Sequence, residues 1–393
     1  MKRAALSDST RCVHSGEDRH GRNAPLTTEI TQTSVFALKD TEQLRKYADG
    51  DRSMFLYGRY GLPTVKAAEA KIAALEGAED CVLTSSGMAA EMAIALSVCK
   101  AGDEIVSMLD IYGGTRNLFR DVLSRCGITT KFVPFGELSK ISRHFTRKTK
   151  MVFIETPTNP TLRCVNIETV AAEAHKRGIV VVVDNTFATP ILQKPLQHGA
   201  DIVNHSATKY LGGHSDLTAG CAVGPKKWMD LIRTTMVNTG SNSDALIAYL
   251  LLRGLKTLQI RVERACLNAF HIAEFLNQHS RVAEVFYPGL EDSSSHGVAL
   301  RQMRDFGMML SFDLKGGGRA AERFIDSLEL WYLATSLGGV ESTVSYPVLS
   351  SHISLGKKEL ALLGVSPATV RLSVGIEDSA DLIADLKQAL SRT

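Results

Sequence analysis

Ile179-Val180-Val181-Val182-Val183-Asp184 is five β-branched residues in a row, closed by a carboxylate. A run this short and this continuously apolar reads as a strand buried on both faces, as in a parallel sheet. Working outward, further short, largely apolar runs lie at 81–83, 104–108, 151–154 and 201–203. Between them the pattern turns helical: Val65, Ala68, Ile72 and Leu75 recur on one face, then Met88, Met92, Ala95 and Cys99, and later residues 167–177. Strand and helix in alternation predict an α/β fold whose large, mainly parallel sheet is covered on both sides.

The flanks of this core read differently. Residues 244–274 contain no proline and only Gly254, which predicts one long helix able to bridge two domains. Beyond it, Met308-Met309-Leu310-Ser311-Phe312 and Val370-Arg371-Leu372-Ser373-Val374 are strand candidates of a smaller C-terminal α/β domain. The first sixty residues show no sustained period, as in Thr27-Thr28-Glu29-Ile30-Thr31-Gln32-Thr33-Ser34. They read as an extended arm that needs a neighbouring surface to be ordered. The expected division is an arm over 1–60, a large domain over 61–255 and a C-terminal domain over 256–393.

Composition bounds the function. With 393 residues and 44% apolar side chains the chain can fill a sizeable core. Its 45 Lys and Arg against 42 Asp and Glu leave a net charge of +3, too little for general attraction to nucleic acid. Arg143, Arg147, Lys148 and Lys150 gather locally, but such a short run reads as a solvated face. Seven widely spaced cysteines with no CxxC pair point to free thiols in a reducing compartment. Residues 1–10 lack the apolar core of a signal peptide, and the longest apolar run, 246–252, is far too short to span a membrane. The expectation is a cytoplasmic protein.

In open α/β sheets ligands sit beyond the carboxyl ends of the strands, so polar residues that follow apolar runs come first. Asp184 could cap the next helix, or it could face the cationic ring nitrogen of pyridoxal phosphate. In Asp201-Ile202-Val203-Asn204-His205-Ser206-Ala207-Thr208-Lys209, the hydroxyls of Ser206 and Thr208 suit phosphate oxygens. Lys209 suits a Schiff base if burial lowers its pKa. Ser85-Ser86-Gly87-Met88 enters a helix, and helix N-termini seat phosphate. The competing Gly316-Gly317-Gly318-Arg319-Ala320-Ala321 formally fits a dinucleotide fingerprint, which keeps a nicotinamide-dependent oxidoreductase as a rival class. It lies late in the chain and reads as a plain glycine turn. There is no P-loop, GxSxG elbow or HExxH, and His14, His205 and His214 show no metal-ligand spacing, so no metal is expected.

Taken together, Ser206-Ala207-Thr208-Lys209, Val183-Asp184-Asn185-Thr186-Phe187 and Glu155-Thr156-Pro157-Thr158-Asn159-Pro160 resemble the Cys/Met-metabolism family of fold-type I pyridoxal-phosphate enzymes. The likeness runs from Tyr57-Gly58-Arg59-Tyr60-Gly61-Leu62-Pro63-Thr64 to Arg371-Leu372-Ser373-Val374-Gly375. Within the family, Leu162-Arg163-Cys164-Val165, Phe187-Ala188-Thr189-Pro190 and Leu211-Gly212-Gly213-His214 look most like plant-type cystathionine γ-synthases, and cystathionine and methionine γ-lyases share the framework. The resemblance implies that Lys209 holds the cofactor and moves protons at Cα and Cβ of the substrate. It also implies that Asp184 pairs with the ring nitrogen, Tyr112 stacks on the ring and assists proton transfer, and Asn159 bonds the ring hydroxyl. Gly87, Met88, Ser206 and Thr208 would hold the phosphate, with Tyr57 and Arg59 reaching it from a neighbouring subunit. Arg371, helped by Ser336, would clamp the substrate carboxylate. A tetramer built from two dimers is implied with it.

Two departures touch the reaction. Gly114 stands where methionine γ-lyases carry a cysteine. Thr335 stands where many cystathionine γ-lyases and bacterial γ-synthases have a glutamate thought to read the distal amino group of cystathionine. The expected reaction is γ-replacement, making L-cystathionine from an O-acyl-L-homoserine and L-cysteine. Alternatives are γ-elimination from cystathionine, sulfhydrylation of the homoserine ester, and methionine γ-lysis.

Overall fold

The computed structural model describes residues 6–17, 25–51, 53–353 and 355–393. Seven strands form the large sheet: β1 (Asp80–Thr84), β2 (Glu104–Met108), β3 (Thr129–Val133), β4 (Thr149–Glu155), β5 (Val180–Asp184), β6 (Ile202–His205) and β7 (Gly220–Gly224). Their order across the sheet is β1-β7-β6-β5-β4-β2-β3, and only β7 runs against its neighbours. Parallel neighbours need crossovers, and the helix Ile167–His175 supplies the one between β4 and β5. The β-branched run beginning at Ile179 is β5, at the centre of the sheet, with Val181, Val182 and Val183 fully buried.

Five strands form the second sheet: β8 (Val282–Phe286), β9 (Met309–Leu314), β10 (Tyr332–Leu333), β11 (Thr343–Ser345) and β12 (Thr369–Ser373), in the order β10-β11-β12-β9-β8. Phe312 of β9 meets Phe324 of the helix Gly318–Asp326 edge to face at 5.5 Å. Leu310, Leu372, Ile272 and Leu386 complete this core. The glycine run at 316–318 is a turn into that helix. A Cβ on Gly318 would lie 3.2 Å from Pro367 and from the Tyr346 hydroxyl, so this glycine serves close packing of the turn against Pro367 and Tyr346.

Two expectations need correction. Residues 244–274 are not one helix but two, Ala245–Leu255 and Leu258–Asn277, because Thr257 leaves helical geometry at φ −110° and ψ 9°. Arg261 turns back across the break and donates to the carbonyls of Gly254 and Tyr210 at 2.8 and 2.9 Å. Gly254 itself touches the loop after Lys209: a Cβ there would sit 2.2 Å from the Gly212 carbonyl oxygen. The N-terminal region, read as wholly irregular, contains the helices Asp8–His14 and Thr41–Ala48. The first docks on its own chain. Cys12 is 1% exposed, Asp8 pairs with Lys194 and Arg304, and the buried Lys71 ammonium donates to the Cys12 and Val13 carbonyls. The charged pairs are invisible to an apolar-periodicity reading, which is why this helix was not foreseen. Residues 26–38 do stay irregular, with Leu26, Ile30 and Val35 exposed.

Among the described residues no helix is long and apolar enough to cross a membrane, and no cluster of His, Cys, Asp and Glu could hold a metal. The stretch 1–10, read as lacking a signal peptide, lies outside the described residues over 1–5. All seven cysteines are free thiols.

Candidate active site

Three strands end side by side at the centre of the large sheet, and the register sets what they present. Glu155 of β4 pairs with Asp184 of β5, which pairs with Asn204 of β6, so all three side chains leave the same face. Asp184 accepts the Thr186 N–H on Oδ1 and the Asn204 amide on Oδ2, both at 2.8 Å. Glu91, from the facing helix Gly87–Val98, accepts the Thr115 hydroxyl at 2.9 Å. Glu91 and Glu155 are both held well above the usual carboxyl range, by burial first and then by the Asp184 charge beside them. The cluster therefore concentrates its negative charge on Asp184.

These strand ends floor a cavity of about 450 Å³. Gly87, Met88, Tyr112, Asn159, Asp184, Ser206, Thr208, Lys209, Ser336 and Arg371, ten residues singled out from the sequence, all line it. Tyr57 and Arg59 do not. Tyr57 is 39% exposed, and Arg59 donates instead to the Val237 carbonyl at 2.8 Å.

Local backbone explains the close approach. Ser86 caps the helix Gly87–Val98 by accepting the Ala89 N–H, which leaves the Gly87 and Met88 N–H groups without helical partners. A Cβ on Gly87 would lie 3.0 Å from the Ser206 Cβ, and one on Gly220 of β7 would lie 2.2 Å from the Ser86 carbonyl oxygen. Two glycines thus let helix, strand and turn converge on one small cradle. Thr208 is locked by exchange with Ala219, its hydroxyl donating to the carbonyl and accepting from the N–H.

The amine end is equally constrained. Lys209 Nζ donates to Ser336 Oγ, and burial, then the Arg371 cation, lower its pKa from 10.5 to about 8. Ser336 has φ 76°, a left-handed conformation unusual for a non-glycine residue. That backbone turns its hydroxyl to Lys209 and its carbonyl to Arg371 Nη2 at 2.9 Å. Arg371 Nη1 donates to Asn159 Oδ1 at 2.8 Å, while Nε has no protein partner among the described residues.

This set of groups fits pyridoxal phosphate: a carboxylate at a dry strand end, a cradle of free helix N–H groups beside the Ser206 hydroxyl, and a primary amine lowered toward neutrality. A family model for Cys/Met metabolism PLP-dependent enzymes matches residues 9–391. The chain belongs to that family. It is 42% identical to an L-methionine γ-lyase of Fusobacterium nucleatum over 98% of both chains. It is 41% identical to a chloroplastic cystathionine γ-synthase of Nicotiana tabacum, covering 99% of this chain and 73% of that one. A cystathionine γ-lyase of Macaca fascicularis is 40% identical, covering 97% and 93%. The crystal structure of metB from Corynebacterium glutamicum, 40% identical, matches with a TM-score of 0.92 over 98% of both chains. The enzyme is thus a pyridoxal-phosphate-dependent transferase or lyase of sulfur amino-acid metabolism.

Several lining residues went unassigned from sequence. Glu155 ends an apolar strand just as Asp184 does, so the same rule could have found it. Glu91 is a lone acid in the apolar helix Gly87–Val98, a weaker signal. Thr186, Ser350 and Ser351 sit in loops with no local pattern to mark them.

Proposed function

We propose that the enzyme makes L-cystathionine by γ-replacement of the acyl group of an O-acyl-L-homoserine with L-cysteine. What supports this over lysis is the substrate end of the cavity: Thr335, Ser336, Ser350 and Ser351 line it with hydroxyls, and no carboxylate stands at position 335. A lyase must capture the distal ammonium of cystathionine, whereas a synthase must let it go, and neutral hydroxyls favour release. Against methionine γ-lysis, a Cβ on Gly114 would lie 2.4 Å from the Tyr112 ring, so a cysteine there requires the ring to move.

Bound pyridoxal phosphate supplies the electron sink for carbanions at Cα and Cβ of the substrate. The chain supplies the rest. Arg371, still cationic at about 10, and its unpaired Nε clamp the α-carboxylate beside Asn159. Lys209 Nζ, near neutrality, takes the proton from Cα and handles the one at Cβ. Tyr112, half exposed at the cavity, covers the ring and assists departure of the acyl group. Gly87, Met88 and Ser206 hold the phosphate, joined by Thr208 once its hydroxyl turns from the Ala219 carbonyl; Asp184 holds the ring nitrogen.

Tyr57 and Arg59 complete the phosphate site of a neighbouring subunit in this proposal, since they do not line their own cavity and share an arm with the exposed Leu26, Ile30 and Val35. The assembly is a tetramer of two such dimers, in the reducing cytoplasm that seven free thiols suit.

The test is product analysis of purified enzyme given O-succinyl-L-homoserine with and without L-cysteine, and cystathionine or methionine alone. Cystathionine formed only when both partners are present is the expected result. Faster release of 2-oxobutanoate from cystathionine or methionine alone would overturn it.

A further inference from the structure

We propose that Glu91 is a positioning residue that, acting through Thr115, sets where Tyr112 stands over the cavity. This rests on the role given to Tyr112 above, whichever reaction that role serves.

Tyr112 enters the cavity from the start of a five-residue helix, Gly113–Asn117. A piece of helix this short has little stability of its own and depends on what grips it. Two acids grip this one. Glu155 Oε2 accepts the Tyr112 N–H at 2.8 Å, and Glu91 Oε1 accepts the Thr115 hydroxyl at 2.9 Å. Thr115 is 1% exposed and Glu91 4%, so the second bond is sheltered from water. Packing adds a contact from the same side: a Cβ on Gly114 would crowd the Tyr112 ring and lie 3.1 Å from the sulfur of Met88. Met88 and Glu91 stand three residues apart on one face of the helix Gly87–Val98. That face therefore meets the Tyr112 segment twice, once beside the ring and once at Thr115.

Glu91 does this as a neutral acid. Asp184 receives a donor on each oxygen and Glu155 receives one on Oε2, whereas Glu91 Oε2 has no partner among the described residues. A buried carboxylate with a bare oxygen is the costliest of the three to ionise, so the proton rests on Glu91 Oε2. Burial and then the Asp184 charge push its pKa upward, in the same direction. Neutrality matters to the neighbours. Asn204 Nδ2 donates to Asp184 Oδ2 at 2.8 Å and lies 3.5 Å from Glu91 Oε1, so the two carboxyl groups share one amide. An uncharged Glu91 holds Thr115 without setting a second negative charge beside Asp184. Its Oε2–H is left for an occupant of the cavity, which Glu91 lines.

The experiment starts from Thr115→Val, which removes the tethering hydroxyl and leaves Glu91 and the packing in place. Turnover should fall about 3- to 10-fold, the scale of one hydrogen bond between neutral groups, with KM for the amino-acid substrate within about 2-fold of wild type. In cofactor-free protein, backbone hydrogen exchange over 112–117 should quicken by a similar factor while β5 stays as in wild type. Glu91→Leu should reproduce both effects and add little on top of Thr115→Val. Glu91→Gln, a neutral group with the same acceptor, should restore most of what Glu91→Leu loses. In a Tyr112→Phe background, which lacks the hydroxyl being aimed, Thr115→Val should change turnover by less than about 2-fold. Unchanged exchange over 112–117, a full further loss in Tyr112→Phe, or failure of Glu91→Gln to rescue would overturn the assignment. Failure of the underlying reading looks different: Tyr112→Phe alone would then turn over at the wild-type rate, and the assignment falls with it.

Discussion

Replacing Asp184 by asparagine changes one atom in a fully specified environment. The carboxylate receives two donors on separate oxygens, the Thr186 N–H and the Asn204 amide, each at 2.8 Å. An asparagine can keep the Thr186 N–H on its Oδ1 and turn its NH2 to Asn204, whose unpartnered Oδ1 accepts once that amide flips. Both hydrogen bonds then drop from charged to neutral strength. The charge opposite the ring nitrogen disappears as well, a charge-assisted contact of about 1.5–3 kcal/mol. At 1.36 kcal/mol per decade, this loss of charge alone predicts roughly a 10- to 150-fold fall in turnover. Glu91 and Glu155 supply a partial response: with the Asp184 charge gone, one source of their raised pKa is removed and each ionises more readily. Adding Glu155→Gln to Asp184→Asn should therefore lower residual turnover further. The assays are steady-state turnover at saturating cofactor, cofactor affinity by spectral titration, and urea denaturation. Turnover of Asp184→Asn within about 3-fold of wild type, roughly 0.65 kcal/mol, would refute the reasoning.

Lys209 gives a pH prediction: cofactor-free protein should take up pyridoxal phosphate at a rate that rises with pH through about 8, and Arg371→Leu should move that midpoint upward. Because a lysine pKa lowered on folding means that the unfolded chain binds more protons, stability of the cofactor-free form should rise between about 8 and 10.5, checked by denaturation across that window. Gly254→Ala places a methyl 2.2 Å from the Gly212 oxygen and should cost about 1–3 kcal/mol in urea denaturation; a loss too small to measure would show that the helix can shift freely. Lys209→Ala and Arg59→Ala should each be inactive alone, yet regain activity when co-expressed, since a mixed dimer with shared sites keeps one intact; no recovery would place Arg59 outside the neighbouring site.

Much of the fold was legible because burial on both faces leaves a local mark. The β-branched run from Ile179 could only be an interior strand, and the alternating helices and runs around it implied the parallel sheet. Asp184 and Lys209 were legible for a related reason: the first closes a buried strand and the second comes four residues after the end of another, where the chain leaves the sheet. The resemblance of whole motifs supplied roles for residues such as Asn159 and Arg371 that no periodicity marks.

Other features were decided only in three dimensions. The break at Thr257 follows from contacts of Gly254 and Arg261 with the loop after Lys209, more than forty residues earlier in the chain. The Asp8–His14 helix depends on ion pairs to Lys194 and Arg304 and on the buried Lys71, all distant in sequence. Which carboxylate bears the charge was settled by strand register, which sets Glu155, Asp184 and Asn204 abreast beneath Glu91. Sequence by itself determined which segments are buried and what chemistry stands at their ends, since hydrophobic patterning is local. Tertiary structure alone decided which of those ends meet, because hydrogen bonds and charges act through space over a few ångströms, whatever their separation along the chain.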